Sequence, residues 1–209
     1  MMSVSANNDA IGSALAANPD AAPELTPQLT PALRAGQASA AGASLVVMGV
    51  AGCGKSLIAE RLALALGAQA LEGDSFHPPE NIARMSAGVA LTDADRAGWL
   101  ARLAERLAAG REAGQRLVLS CSALKRRYRD QLRAGDPDLV FVCLHGARAL
   151  IESRMAARTH HFMPVSLLDS QLRDLELPQS DERAVLCNLA ATPEQLVAQI
   201  LTALHGDRA

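Results

Sequence analysis

The chain has 209 residues, of which 49% are hydrophobic, and a formal net charge of −2. That length suits one well-buried domain and is short for two, and a near-neutral balance supplies no field for nucleic acid or an anionic membrane surface. No run of roughly 18 apolar residues occurs, which argues against a membrane span, and the first residues lack the basic and apolar segments of a secretory signal.

From Met1 to about Ala43 the composition is rich in Ala, Pro, Asn, Ser and Thr without sustained periodicity, which reads as a disordered or weakly ordered extension (1–43). Short helices around Ile11–Ala17 or Pro31–Ala35 are compatible with it. The ordered domain (44–209) opens with Leu45–Met48, an apolar run of the kind buried on both sheet faces. After a glycine-rich turn, Leu57, Ile58, Leu62, Ala65 and Leu66 share one helical face, and Gly67 is the expected stop. A second strand is expected over 68–71, then a helix opening at Pro78 or Pro79. Trp99, Leu100, Leu103, Ala104 and Leu107 mark a long amphipathic helix, with Gly110 as its expected end. Runs at 116–120 and 139–144 are two further strands, each followed by a helical pattern, and 184–189 is a fifth candidate. Thr192, Pro193 and Gln195 form a capping-box arrangement for the last helix. Such alternation is that of an α/β fold built on a parallel sheet.

Cys53, Cys121, Cys143 and Cys187 stand far apart with no paired spacing, so they are expected as reduced, mostly buried thiols rather than a disulfide frame or a zinc site. A reducing cytoplasm fits that usage. With three Phe, one Trp and one Tyr, the core must be made of aliphatic side chains.

GVAGCGKS sets Gly49, Gly54, Lys55 and Ser56 at the G-x-x-x-x-G-K-[ST] spacing, between a buried strand and a helix. Backbone amides of Gly49, Val50, Ala51, Gly52, Cys53 and Gly54 can then curl around phosphate oxygens, helped by the positive end of the following helix. Lys55 is expected to reach the β and γ phosphates of ATP, and Ser56 to offer its hydroxyl to Mg²⁺. Cys53 would be an oxidation or alkylation hazard if exposed. No Asn-Lys-x-Asp reader or Asp-x-x-Gly switch of a GTPase is present, and the strand ending near Ser120 runs into Ser-Cys-Ser without the acidic residue of a motor ATPase. A small-metabolite kinase is what remains.

The segments LEGDSFHPPENIARMSAG, LTDADRAGWL, SCSALKRRYRDQLR and HFMPVSLLDSQLRDLE follow in order, and together they resemble gluconokinases. The resemblance runs from about Leu45 to Ala203. It implies a three-layer fold like that of the nucleoside monophosphate kinases, with a five-stranded parallel sheet, helices on both faces and a mobile lid. It also implies a homodimer that transfers phosphate from ATP to D-gluconate without a phosphoenzyme, and the charge balance leaves no expectation of a nucleic-acid or membrane partner. A shikimate-kinase relative and a nucleotide-binding regulator without turnover are the rival readings.

Asp74, just past the second strand, stands where ligands of parallel sheets gather and is the first choice to orient the acceptor hydroxyl. His77 has two readings, a substrate hydrogen bond or the packing of its own loop. Arg84 stands where the family usually has Lys and either binds a carboxylate or caps its helix. Asp93, Asp95 and Arg96 match the family's loop before Trp99, where Asp93 can also be an ordinary helix cap; Gly98 replaces the family's proline. Lys125 and Arg129, four apart, would face one side of a helix as a carboxylate cradle. Arg154 and Arg158, also four apart, look like lid arginines that stabilise the transferring group. Thr159 and His160 replace the Lys-Gly or Arg-Gly common before His161 and Phe162. Gln171 and the stretch from Asp181 to Arg183 complete the resemblance, with polar helix and loop roles on physical grounds.

Overall fold

The computed structural model describes residues 26–36, 40, 42–157 and 165–205, and among these six strands form one sheet. Across the sheet the order is β1 (Gln28–Leu29), β6 (Ala184–Asn188), β5 (Val140–His145), β2 (Leu45–Met48), β4 (Leu117–Ser120) and β3 (Gln69–Glu72). Strands β2 to β6 are parallel throughout, as the strand and helix alternation requires. The expected count of five is corrected at one edge, where β1 pairs antiparallel with β6, setting Gln28 opposite Leu186 and Leu29 opposite Val185.

That sixth strand comes from the region read as an extension, and its attachment has a local cause. The Thr30 hydroxyl donates to the Glu182 carbonyl at 2.6 Å and accepts the Ala184 N–H at 3.0 Å. Helix α1 (Pro31–Ala35) follows and buries Leu33 completely in the core. Residues 1–25, including the suggested helix at 11–17, lie outside the described residues.

Side chains alternate across the strands, so the sheet has two apolar faces. Leu45 and Val47 of β2 join Val140, Val142 and Val185 against α2 (Lys55–Leu66) and α8 (Pro193–His205), where Ile58, Leu62, Ile200 and Leu204 close the layer. Val46 and Met48 join Leu117, Leu119 and Phe141 against α4 (Asp93–Glu112) and α5 (Arg126–Gly135), with Trp99, Leu103, Leu107 and Leu132 between them. Three layers result. Helices α6 (Arg148–Ala156) and α7 (Val165–Asp174) add Ile151 and Leu168 to the first layer, and α3 (Pro79–Ser86) stands beside the carboxyl ends of the strands.

Helix ends follow the sequence chemistry with one exception. α2 stops at Gly67, whose left-handed backbone (φ 61°) lets Ala68 N–H reach the Ala63 carbonyl. Thr92 and Asp95 cap α4 reciprocally, and Thr192 and Gln195 do the same for α8. Gly110, expected to end α4, lies inside it. A Cβ at that position would fall 2.5 Å from Leu117 Cδ1, so the glycine lets the helix lie close on β4 rather than stopping it. All four cysteines are free and buried, and among the described residues no helix is long and apolar enough to cross a membrane.

Candidate active site

Between β2 and α2 the chain makes a tight loop whose glycines carry the backbone into conformations closed to other residues. Gly49, Gly52 and Gly54 have φ of 138°, 81° and 92°. A Cβ on Gly49 would stand 2.5 Å from the Leu144 carbonyl oxygen, and one on Gly52 would stand 2.4 Å from Met155 Cγ. Val50 and Cys53 bury their side chains beneath the loop, which removes the exposure that Cys53 oxidation would need. Ala51, Gly52, Gly54, Lys55 and Ser56 face a cleft of about 670 Å³. Lys55 Nζ donates to the Val50 carbonyl at 3.1 Å, so the ammonium is folded over its own loop. A phosphate tail entering there would meet curled amides, an ammonium and a helix N-terminus together.

The opposite wall begins where β3 ends. A 3₁₀ turn over Gly73–Phe76 presents Asp74, which lines the same cleft together with His77. Three contacts fix this turn. Glu72 Oε1 accepts the Ser120 hydroxyl at 2.6 Å and the Asp74 N–H at 3.4 Å, and Trp99 Nε1 donates to the Gly73 carbonyl at 2.8 Å. Gly73 itself is pressed on β4, where an added Cβ would come within 2.4 Å of the Ser120 carbonyl oxygen. An aspartate on so constrained a turn keeps its position relative to the phosphate loop, which is what an in-line transfer needs.

His77 is buried, and its ring stacks on Trp99 with centroids 4.1 Å apart and planes 15° from parallel. Burial, then the charges of Arg96 and Arg102, lower its pKa to about 4, so the imidazole is neutral at neutral pH. Both readings of this residue meet here, since it packs its loop while lining the cleft.

The other acceptor-side candidates are not brought to the cleft. Arg129 is fully buried; its Nε and Nη2 bind the two carboxylate oxygens of Glu182 at 2.6 and 2.8 Å, and Nη1 reaches the Ala123, Leu124 and Glu176 carbonyls. Its assignment as a substrate ligand is therefore corrected: the guanidinium is spent on the loop after β4, where Ala123 holds a left-handed backbone (φ 42°) without being glycine. Burial works to raise the Glu182 carboxyl, but hydrogen bonds from Arg129, Gln179 N–H and Arg133 prevail and hold it below the usual range. Lys125 precedes α5 as its N-cap, so it does not share a helical face with Arg129, and its ammonium bridges Asp93 (3.3 Å) and Asp174 (3.2 Å). Arg84 is exposed and paired with Asp95 at 2.9 Å. Arg154 donates to the Leu189 carbonyl at 2.8 Å, while its neighbours Met155 and Ala156 line the cleft. Arg158, Thr159 and His160 lie outside the described residues.

Other residues enter that the sequence reading left without a task. Gln171 of α7 accepts the Ala51 N–H through Oε1 at 2.6 Å, and Glu72 organises the Asp74 turn. Arg96, Ile82, Met85 and Leu91 line the same cleft. Glu72 and Gln171 both lie in segments that carry the family resemblance, Glu72 in LEGDSFHPPENIARMSAG and Gln171 in HFMPVSLLDSQLRDLE, but no local periodicity marks either out.

A family model described as an AAA domain matches residues 45–178. A gluconokinase of Gluconobacter oxydans is 45% identical over 75% of this chain and 88% of its own length. The thermosensitive gluconokinase of Escherichia coli is 44% identical over 70% and 78%. Among solved structures, a gluconokinase of Sinorhizobium meliloti superposes with a TM-score of 0.72 at 49% identity, covering 78% of this chain and 91% of that one. A sugar kinase of a Janibacter species gives 0.76 at 48%, covering 78% and 94%. An APS kinase of Mycobacterium tuberculosis, at 18% identity and a TM-score of 0.55, shares the fold alone. Relatives this similar over so much of their own length leave one conclusion, that the chain belongs to the gluconokinase family.

Proposed function

We propose that this protein catalyses ATP-dependent phosphorylation of D-gluconate to 6-phospho-D-gluconate. The observation that carries it is the joint lining of one cleft by Lys55, Ser56 and Asp74, in a chain of the gluconokinase family. Loop amides and Lys55 hold the β and γ phosphates. Asp74 accepts a hydrogen bond from the C6 hydroxyl and aims its oxygen at the γ-phosphorus. The new bond joins that oxygen to phosphorus, the bond to the β–γ bridging oxygen breaks and leaves with ADP, and the hydroxyl proton passes late to Asp74. Positioning outweighs basicity, because the transition state of phosphoryl transfer is loose.

Magnesium fits the donor set. Ser56 offers a hydroxyl at the start of α2, and no group of three or more His, Cys, Asp or Glu among the described residues forms an all-protein cage, so phosphate oxygens and water would supply the other ligands. When bound, the ion neutralises charge on the β and γ phosphates. Arg158, and Arg154 if it leaves Leu189, would add positive charge from the lid. Residence in the cytoplasm agrees with four reduced thiols, and a homodimer is the state that the family resemblance implies; light scattering of the purified chain checks the latter.

The deciding experiment is coupled ADP release with gluconate, other sugar acids and shikimate, with the product identified by mass and phosphorus NMR. Turnover of gluconate to the 6-phosphate is expected. Turnover of shikimate alone, or of no acceptor, would refute the assignment.

A further inference from the structure

A sugar acid carries a negative charge, and the cations first considered for it are committed elsewhere. Arg84 is on Asp95, Lys125 is between Asp93 and Asp174, and Arg129 is sealed against Glu182. Arg127 pairs with Asp93 and lies outside the cleft lining. Arg96, on the first turn of α4, differs from all of them. It lines the cleft, yet no carboxylate among the described residues stands within ion-pair distance of it: Asp93 is paired with Lys125 and Arg127, and Asp95, which also feels the Arg96 charge, is paired with Arg84.

One end of its guanidinium is nonetheless fixed. Nη1 donates to the Leu91 carbonyl at 2.6 Å and reaches the Tyr128 hydroxyl at 3.4 Å, while the Tyr128 ring lies 5.7 Å from the Arg96 carbon Cζ. Nε and Nη2 make no hydrogen bond to another described residue. The cleft it lines also takes in the apolar side chains of Ile82, Met85, Leu91 and Trp99, beside which a charge is less screened than in open water. Its field reaches the cleft interior, since it is one of two charges that help keep His77 neutral. A held, planar fork that faces the cleft with no carboxylate in ion-pair contact suits a carboxylate ligand.

We propose that Arg96 is the specificity-determining residue that binds the carboxylate of the acceptor, while Asp74 takes the hydroxyl at the other end. This assignment rests on reading the acceptor as a sugar acid. It explains how the site would tell an acid from a neutral polyol: the fork gains an anionic partner only from the acid, and a neutral analogue leaves it without one.

Steady-state kinetics of wild type, R96A and R96K with gluconate and with its neutral amide, gluconamide, test it. R96A is expected to raise KM for gluconate roughly 10- to 100-fold, the range for a hydrogen bond to a charged group, with KM for ATP within about twofold of wild type. It should also abolish the preference for gluconate over gluconamide, and added guanidinium ion should restore part of that preference. R96K, with charge but no fork, should fall between. A folded R96A or R96K with wild-type KM for gluconate overturns the proposal, as does R96A that keeps the acid-over-amide preference or shifts both substrates' KM equally. Absence of gluconate turnover in the wild type refutes the function itself and Arg96's role with it, and is told apart from failure of Arg96 alone by the wild-type arm.

Discussion

Gln171 Oε1 accepts the Ala51 N–H at 2.6 Å, which ties α7 to the phosphate loop one residue from Gly52, the glycine on which Met155 of α6 packs. The two helices that flank residues 158–164 therefore both touch the phosphate loop. Q171A removes an acceptor from a loop amide and leaves the fold intact. KM for ATP should rise roughly 5- to 10-fold, the worth of one such bond, with KM for gluconate little changed. Q171E, which sets a carboxylate beside the phosphates, should weaken ATP binding further. Initial-rate measurements with each substrate varied in turn decide it, and an equal change in both KM values would count against the coupling.

Lys55 Nζ donates to the Val50 carbonyl of its own loop. K55A should lower kcat by about 10²- to 10³-fold, the effect of deleting one preorganised charge-stabilising group, while unfolding free energy moves by less than about 0.5 kcal/mol, as for other substitutions outside the core. Single-turnover rates and denaturant titration of the same preparation separate the two. Full activity in K55A would exclude the phosphate-loop assignment.

What could be read from the residues was what local physics decides. Glycines that must turn positive in φ, apolar runs buried on both faces and the Thr192 and Gln195 cap depend on near neighbours, and each is found where expected. Charged side chains were another matter. Arg129 meets Glu182 fifty-three positions away and Lys125 meets Asp174 forty-nine away, so no helical spacing could foretell that both would be neutralised by protein. Gly110 looked like a stop because its contact, Leu117, lies on a different element. β1, only two residues long, had too little sequence for a period to show.

Asp74 is placed by its turn: its N–H is held by Glu72 and the residue lines the cleft. D74N keeps the shape and loses the charge and the proton acceptor. Turnover should fall by about 10²- to 10⁴-fold, the range for a general base, with the dissociation constant for ATP unchanged in equilibrium titration. A defect confined to ATP affinity would remove Asp74 from the acceptor role.

Arg129 and Glu182 are both fully buried and doubly bonded. R129M leaves a carboxylate with one remaining arginine, Arg133 at 3.0 Å, and takes a donor from the Ala123, Leu124 and Glu176 carbonyls, of which Leu124 keeps the Glu176 N–H. A loss of about 3–5 kcal/mol is expected, the cost of breaking a buried pair from one side. The double variant R129M/E182L should be more stable than R129M alone, because no uncompensated charge remains. Urea denaturation of the three proteins measures this; a double variant as unstable as the single would show that the carbonyl bonds, not the ion pair, dominate.

His77 makes stability depend on acid in a definite direction. Its pKa in the folded protein is about 4, against an ordinary value of 6.5, because protonation would put a charge into a buried site beside Arg96 and Arg102. Between those two values the unfolded chain binds the proton and the folded one does not, so protonation pulls toward unfolding. The stability belonging to this neutral imidazole is complete above pH 6.5 and drains as the pH falls toward 4; below that both forms are protonated and nothing further is lost. Burial lowers His145 as well, and it adds to the same slope. Asp93, held at about 2 by the Tyr128 hydroxyl and then by Lys125, loses its share only at lower pH and stays out of the window. H77F keeps a ring against Trp99 and cannot titrate. Its unfolding free energy should decline less between pH 6.5 and 4 than that of the wild type, with proton uptake on unfolding smaller by up to about one proton. Denaturant titrations at half-unit pH steps give both slopes, and parallel curves for the two proteins would mean that His77 titrates normally in the fold.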